Sequence, residues 1–413
     1  MRDYRQSAIN AMYLIMVQGV SYLVPLFLMA HLIKNLGVAG FGEYAFWYSV
    51  LLFVQALVDY GFSFSGTREV ATTDTDSQRI TAVFYQVTIV KLSIGGLCMA
   101  AATAGYIGGI VERSGFYAIF AGVLLGFVPN WFFQGLQRLR GITLLSVGGR
   151  LGFIVAVYLL IDEQSSIDDV VFLQFFSLLP VVMFGNYLAC RQLSRYVKPS
   201  SSELMLQLRT AWPLFSTTIL SMVISNGGIL WLGAVGSAQT VGAYAAVERV
   251  IKAILGMFAP ISQAIYPLNS KRFSNSLSSG LRSATITGSI MMLLVVIAII
   301  VVALTKQIWF NILSVPVGAK DFVMPLLVWA FFSVLNNVLG IQILSACGAA
   351  FHYALSFKIA AVVFAAVLIS EVFGEAALSV TSALVISEIV LALLLTMGIV
   401  RLVMISRRCN GSN

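Results

Sequence analysis

Charged residues are scarce in this sequence, because Asp, Glu, Lys and Arg make up only 10% of its 413 residues. Histidine and cysteine are rarer still, with two and four residues respectively. His31 and His352 lie at opposite membrane faces in the predicted topology, so we expect neither a metal-ligand cluster nor a Ser-His-Asp triad. The cysteines show no CxxC spacing, which indicates neither a disulfide framework nor a zinc site.

The phosphate-binding pattern GxxxxGK[ST] is also missing from the chain. That pattern forms the loop that cradles the phosphates of a bound nucleotide. We therefore expect no ATPase domain and no cofactor. Any pumping must use a gradient of H⁺ or Na⁺, or the gradient of the substrate itself.

The length of the chain alone would suggest two or three soluble domains. Hydrophobic residues, however, make up 59% of the chain, a fraction too high for soluble domains. A hydrocarbon core roughly 30 Å thick needs about 20 apolar residues per helix. The sequence divides into about twelve such runs and predicts an all-α polytopic membrane protein. The predicted spans are residues 9–30, 42–62, 81–105, 116–136, 142–161, 169–190, 210–233, 241–266, 283–305, 321–345, 353–371 and 376–400.

The orientation follows from the distribution of basic residues. Most of the 25 Lys and Arg residues lie on one side of the membrane when the N-terminus is placed inside. Because Lys and Arg near helix ends are retained in the cytoplasm, both termini are predicted to be cytoplasmic. This asymmetry explains the net charge of +8, so no nucleic-acid partner is expected.

The chain is predicted to consist of two halves. A Ser-rich and charged connection at its centre separates a six-helix lobe, residues 1–195, from a second one, residues 210–413, with residues 196–209 as the cytoplasmic linker. The sequence GEYA at residues 42–45 is echoed by GAYA at residues 242–245, each opening the second span of its half. Two lobes entering from the same side predict parallel repeats around a central cavity.

Eight ionisable residues lie inside the predicted spans and away from the loops. Each would cost roughly 2.5 to 3.5 kcal/mol if it faced lipid at a helix centre. We therefore expect these side chains to face a water-filled cavity or to pair with one another. They are Glu43, Asp59, Lys91, Arg150, Glu248, Arg249, Lys252 and Glu388.

The densest group of charges lies in the stretch VERVIKAIL, residues 247–255. At about 100° per residue, Glu248, Arg249 and Lys252 share one arc of the helix, and Glu248 and Lys252 form an i,i+4 pair. Lys91 and Arg150 reach a similar depth in their own spans. A lumen shared by these residues would be cationic and would suit a phosphate or pyrophosphate.

A purely structural reading of the same charges is also open. Glu248 and Lys252 would then neutralise each other, Arg150 would extend to the inner headgroups, and Lys91 would pair with an acid elsewhere.

Four further residues are candidates for supporting roles. Glu388 and Asp59 are candidates for coupling to H⁺ or Na⁺, with a helix cap or surface carboxylate as the alternative for Asp59. His31 and Lys34 lie one helical turn apart at the predicted outer mouth, where they would guide a phosphate on release or would simply be solvated.

Several stretches resemble one family of membrane proteins. They are Asn10, Gln18, YLVPLFL at 22–28, LGVAGFGEYAF at 36–46, DYGFSFSGTREVA at 59–71, NWFFQG at 130–135 and VGAYAAVERV at 241–250, followed by Pro260 and Pro267. Their order and spacing resemble bacterial O-antigen and capsular-repeat flippases of the Wzx type, in the multidrug/oligosaccharidyl-lipid/polysaccharide exporter superfamily.

This resemblance implies two six-helix lobes and a transporter, not an enzyme, in the bacterial inner membrane. The implied task is to move an undecaprenyl-pyrophosphate-linked oligosaccharide between leaflets by alternating access. The resemblance also implies a lumen-facing acid/base pair at Glu248 and Arg249, and it places Trp131 and Gln134 in the WFFQG motif. Implied partners are the lipid-linked oligosaccharide, membrane lipids, a polysaccharide polymerase and a chain-length regulator.

Three other functions compete with this reading. A multidrug/cation antiporter of the same architecture would usually need an acidic cavity, which the surplus of basic residues disfavours. A polysaccharide polymerase or ligase would need a large outer loop, and with the spans predicted above no outer loop exceeds about 15 residues. A structural subunit without transport activity is disfavoured, but not excluded, by the charges inside the spans.

Overall fold

The structure, a computed structural model, describes residues 2–73, 77–194, 196, 198–370 and 375–410. Side chains are described for residues 25–73, 77–194, 196, 198–370 and 375–404. Asn10, Gln18 and the start of the YLVPLFL stretch therefore lie outside the described side chains.

The regular elements in the described residues are helices. They are α1 (Arg2–Asp59), α2 (Phe62–Thr72), α3 (Ser77–Ile107), α4 (Arg113–Phe127), α5 (Asn130–Gly135), α6 (Arg140–Leu160), α7 (Ile167–Cys190), α8 (Ser201–Val235), α9 (Ala238–Asn275), α10 (Leu277–Leu304), α11 (Lys306–Ile312), α12 (Lys320–Asn337), α13 (Ala350–Ser370) and α14 (Ala376–Asn410). A 3₁₀ turn, Val317–Ala319, precedes α12, and a π-helical segment, Val338–Ser345, follows it.

Ten helical stretches of the described chain are long and apolar enough to cross a membrane. α9, which carries the charged residues Glu248, Arg249 and Lys252, is not among them, but its 38 residues exceed the length that one crossing needs. The prediction of an all-helical, multi-pass membrane protein with about twelve spans is confirmed.

α1 is 58 residues long and contains a kink at Gly37. An unbroken helix of this length would extend roughly 87 Å at 1.5 Å per residue, far beyond the thickness of a bilayer. Gly37 has φ 75° and ψ 177°, a conformation that a residue with a Cβ atom rarely adopts. The kink lies between the predicted spans 9–30 and 42–62 and separates them.

The break between α1 and α2 depends on a second glycine. Tyr60 and Gly61 both have positive φ values, 47° and 79°. A Cβ atom on Gly61 would lie 2.8 Å from the backbone nitrogen of Phe215 in α8. Glycine therefore allows both the turn and the close approach of α8 to the start of α2.

The chain divides into two compact units, Met1–Leu230 and Trp231–Asn413. In the first unit, α1 packs against α4, α6 and α7, while α2 packs against α5. In the second unit, α9 packs against α10 and α12, and α14 packs against α12 and α13. The predicted linker, residues 196–209, belongs to the first unit, and the division into two six-helix lobes stays a prediction.

Candidate functional site

The charged residues of α9 form a connected group in the second unit. Glu248 is buried, with 3% of its surface exposed, and its Oε2 lies 3.2 Å from Nζ of Lys252. The buried Tyr244 donates its hydroxyl to Oε1 of Glu248 at 3.2 Å. The structure thus contains the i,i+4 ion pair that the spacing predicts, and both carboxylate oxygens have a partner.

The balance of charge in this group is positive. Glu248 supplies one negative charge, while Arg249 and Lys252 supply two positive charges and both are half-buried. The side chain of Lys252 is 26% exposed, against 4% for that of Glu248. The carboxylate is therefore the buried end of the group and the ammonium the accessible end, an arrangement that favours an anionic ligand.

Lys91 and Asp59 form a different kind of pair in the first unit. Nζ of Lys91, in α3, donates to Oδ1 of Asp59, at the end of α1, at 2.9 Å. It also donates to the backbone carbonyl of Gly126 in α4 at 2.9 Å. Oδ2 of Asp59 accepts the backbone N–H of Ser63 in α2 at 3.1 Å. This pair connects four helices, and Asp59 also accepts a hydrogen bond in the first turn of α2. Its role in coupling to H⁺ or Na⁺ stays a prediction.

Arg150 lines a cavity of about 190 Å³ inside the first unit. The cavity lies among α4, α5, α6 and α7. Its polar lining includes Ser146, Gln174 and Ser177, together with Gln134 from the WFFQG stretch. Trp131 of the same stretch is buried and stacks against Phe84, with ring centroids 6.0 Å apart.

Glu388 lies half-buried in α14 of the second unit. The side-chain amide of Asn336, in α12, donates to its Oε2 and, at 2.9 Å, to its backbone carbonyl. A carboxylate held by an amide inside an apolar helix bundle has the chemistry that a proton or sodium site needs. Its role in coupling stays a prediction.

A buried amide network beside the π-helical segment was not predicted. Gln342 is fully buried and donates to the hydroxyl of Ser262 in α9 at 2.8 Å. Asn269 of α9 donates to Oε1 of Gln342 at 2.9 Å. The sequence could have indicated this network, because amide side chains inside apolar spans need hydrogen-bond partners, as charged side chains do.

His31 and Lys34 occupy one end of the first unit. A ring nitrogen of His31 lies 3.1 Å from the backbone carbonyl oxygen of Ile161, which follows α6, and the ring stacks on Tyr158 at 4.2 Å. Lys34 is exposed. His31 therefore contributes to packing between α1 and α6, and the proposed guidance of a phosphate at the outer mouth stays a prediction.

The predicted basic groups are divided between the two units. Lys91 and Arg150 belong to the first, where Lys91 pairs with Asp59 and Arg150 lines a cavity. Arg249 and Lys252 belong to the second, next to Glu248. Their convergence on one chamber stays a prediction.

Two curated relatives carry the name "Putative O-antigen transporter". The one from Escherichia coli strain K12 is 26% identical over 271 residues, which cover 62% of this chain and 63% of that protein. The one from Shigella dysenteriae is 22% identical over 278 residues, covering 66% and 70% respectively. The match therefore spans less than two thirds of the Escherichia coli relative.

Solved structures show the same fold at low sequence identity. An inward-facing multidrug resistance MATE family transporter of the MOP superfamily has a TM-score of 0.69 at 14% identity, covering 92% of this chain and 95% of that one. The lipid II flippase MurJ, in an inward closed conformation, has a TM-score of 0.63 at 11% identity, covering 95% and 87%. A family model described as polysaccharide biosynthesis protein matches residues 7–273, more than half of the chain. The chain belongs to this polysaccharide biosynthesis protein family.

Proposed function

We propose that this protein is a flippase that translocates an undecaprenyl-pyrophosphate-linked oligosaccharide, an O-antigen or related repeat unit, across the bacterial inner membrane. The observation that carries the proposal is the group on α9, where two basic side chains, Arg249 and Lys252, stand beside the one buried acid Glu248, and the ammonium of Lys252 is the accessible end of the ion pair. The names of the curated relatives and the MOP superfamily fold support it.

The chemical problem is desolvation. A sugar pyrophosphate is strongly hydrated, and charged groups cost far more than neutral ones when they enter hydrocarbon without partners. Cationic side chains inside the membrane replace lost water with charge-assisted hydrogen bonds, and a guanidinium binds phosphate oxygens in bidentate geometry. We assign the pyrophosphate contact to Arg249 and Lys252.

The proposed mechanism is alternating access, in which the site opens to one side of the membrane at a time while the polyprenyl chain stays in lipid. Exchange of H⁺ or Na⁺ at Glu388 would reset the site. Both termini are placed in the cytoplasm on the positive-inside rule. A polymerase and a chain-length regulator would receive the translocated repeat unit.

Reconstitution of the purified chain into vesicles tests this function. Undecaprenyl diphosphate bearing the host's repeat unit is tritium-labelled in the sugar, and its arrival in the opposite leaflet is followed with an impermeant sugar-modifying reagent. We expect protein-dependent transfer, and a pH step or sodium replacement in the same vesicles tests the coupling ion. Transfer no faster than in protein-free vesicles would exclude the function.

The fold shared with a multidrug transporter makes drug export the second candidate. The same vesicles, loaded with a fluorescent organic cation, distinguish the two. Because the α9 group is cationic, we expect no protein-dependent movement of this dye. Ion-driven movement of the dye without lipid transfer would favour the antiporter.

A further inference from the structure

The cavity in the first unit is bordered by two helices, each of which presents a pair of polar residues on one face. α6 contributes Ser146 and Arg150, four residues apart, and α7 contributes Gln174 and Ser177, three residues apart, so each pair lies on one helical face. Beside them the helices are in close contact, since a Cβ atom on Gly149 would clash with Cγ2 of Val181. The cavity is therefore a gap between tightly packed helices and not a region of loose packing.

The polar groups in this gap are arranged as in a preformed binding site. The hydroxyl oxygen of Ser146 is buried and has no hydrogen-bond partner among the described residues. Such a group lowers stability unless a ligand or water satisfies it. Gln174 accepts the hydroxyl of Tyr44 at 3.2 Å, which fixes the orientation of its amide. Ser177 donates to the backbone carbonyl of Gln174 at 2.8 Å and keeps lone pairs to accept from a ligand.

The size and chemistry of the cavity select one class of ligand. About 190 Å³ is several times the roughly 30 Å³ share of one water molecule, enough for a single sugar ring. Hydroxyl and amide groups both donate and accept, as sugar hydroxyls do, and Arg150 adds donors. The apolar walls, which include Leu178 and Val181, suit the C–H faces of a pyranose. An organic cation would meet the charge of Arg150 instead.

We propose that this gap, the α6–α7 pocket, binds one sugar ring of the carried glycan. The inference rests on the proposed flippase function and adds a glycan subsite that is separate from the pyrophosphate contact on α9. Asn130 and Gln134, both exposed, lie at the mouth of the pocket, where the chain of sugars would leave it.

The test compares two probes in binding to the full chain in nanodiscs. One probe is undecaprenyl diphosphate bearing the host's repeat unit, and the other is undecaprenyl diphosphate without sugar. Wild-type protein should bind the glycan-bearing probe more tightly. Ser146→Leu fills the pocket and should reduce this preference at least tenfold, about 1.4 kcal/mol, while the affinity for the sugar-free probe stays unchanged and reports correct folding.

Three control variants sharpen the comparison. Ser93→Leu adds the same bulk at an exposed serine of α3 and should leave the preference unchanged. Ser146→Ala removes the hydroxyl without filling the pocket and should lower the preference less than Ser146→Leu does. If Ser146→Leu loses affinity for both probes, the variant is damaged and does not test the pocket. Gln174→Met, which removes an amide from the pocket at similar side-chain volume, is then used to decide whether the pocket binds the glycan.

The outcomes separate the inference from the proposed function. Loss of preference in Ser146→Leu, or in Gln174→Met where the first variant is damaged, supports the glycan subsite. If the variant used for the decision still prefers the glycan-bearing probe, the glycan subsite is overturned, and the pocket is a water-filled gap. Failure of the wild-type protein to bind either probe would contradict the proposed function itself.

Discussion

Each unit contains a Lys–carboxylate pair with one buried member, Lys91 in the first and Glu248 in the second, but the two pairs are built differently. Lys91 and Asp59 are 32 positions apart, lie on separate helices and are 3% and 15% exposed. Glu248 and Lys252 lie one turn apart on α9, and the side chain of Lys252 is 26% exposed. The first pair joins helices and the second presents an ammonium group. We infer that the Lys91–Asp59 pair is structural and that the α9 group binds substrate.

Removing one partner of the interhelical pair should produce the largest loss of stability. Asp59→Leu leaves the ammonium of Lys91 buried without its carboxylate, which costs about 3–5 kcal/mol of unfolding free energy. Unfolding in mixed detergent micelles containing increasing SDS measures this loss. The double variant Asp59→Leu/Lys91→Met removes both charges and should recover to within about 1 kcal/mol of wild type. Equal losses in the single and double variants would show that the ion pair is not what holds these helices.

Substitutions in the α9 group should affect the rate of transport more than the stability of the protein. Arg249→Ala removes a charge-assisted hydrogen bond to the pyrophosphate, worth about 1.5–3 kcal/mol, and should slow translocation about 10- to 150-fold. Arg249→Lys keeps the charge but loses the bidentate geometry, so its rate should lie between those of wild type and Arg249→Ala. The leaflet assay in vesicles measures all three. A slower rate for Arg249→Lys than for Arg249→Ala would argue against phosphate binding here.

Neutralising the acid of the α9 pair should cost less stability than Asp59→Leu. Glu248→Gln keeps an acceptor for the hydroxyl of Tyr244, and the partly exposed Lys252 can reach water. We expect a loss of about 1–2 kcal/mol in the same SDS titration, reduced by this exposure. A loss as large as that of Asp59→Leu would mean that the two pairs have equivalent structural roles.

The smallest effect is expected at Lys34. Its side chain is exposed at the end of α1 that also holds His31. Lys34→Ala should change stability by less than about 0.5 kcal/mol, as exposed substitutions usually do. Its translocation rate should stay close to wild type. A marked fall in rate, measured beside His31→Ala, would instead support phosphate guidance at this end.

Interactions within one helix could be predicted from sequence, whereas interactions between helices could not. The Glu248–Lys252 pair follows from i,i+4 spacing, which places both side chains on the same face. The partner of Lys91 could not be deduced, because its identity depends on how α1, α3 and α4 pack. Composition was sufficient for the all-helical membrane fold, since apolar runs of about 20 residues have few other solutions.

The α6–α7 pocket and the π-helical segment show the same limit. Ser146 and Gln174 look like ordinary polar residues in apolar spans until α6 and α7 are placed side by side. The backbone of Val338–Ser345 departs from α-helical geometry beside the buried side chain of Gln342, which bonds to α9. A hydrophobicity pattern carries no information about such local backbone choices.

The most direct test of the central claim is to compare Asp59→Leu/Lys91→Met with Arg249→Ala in the leaflet assay, using equal amounts of folded protein. If the pair in the first unit is structural and the α9 group binds the pyrophosphate, the double variant should transport within about twofold of wild type. Arg249→Ala should lose at least about 90% of the rate. Wild-type rates in Arg249→Ala, with lost transport in the folded double variant, would contradict the account and assign the substrate contact to Lys91.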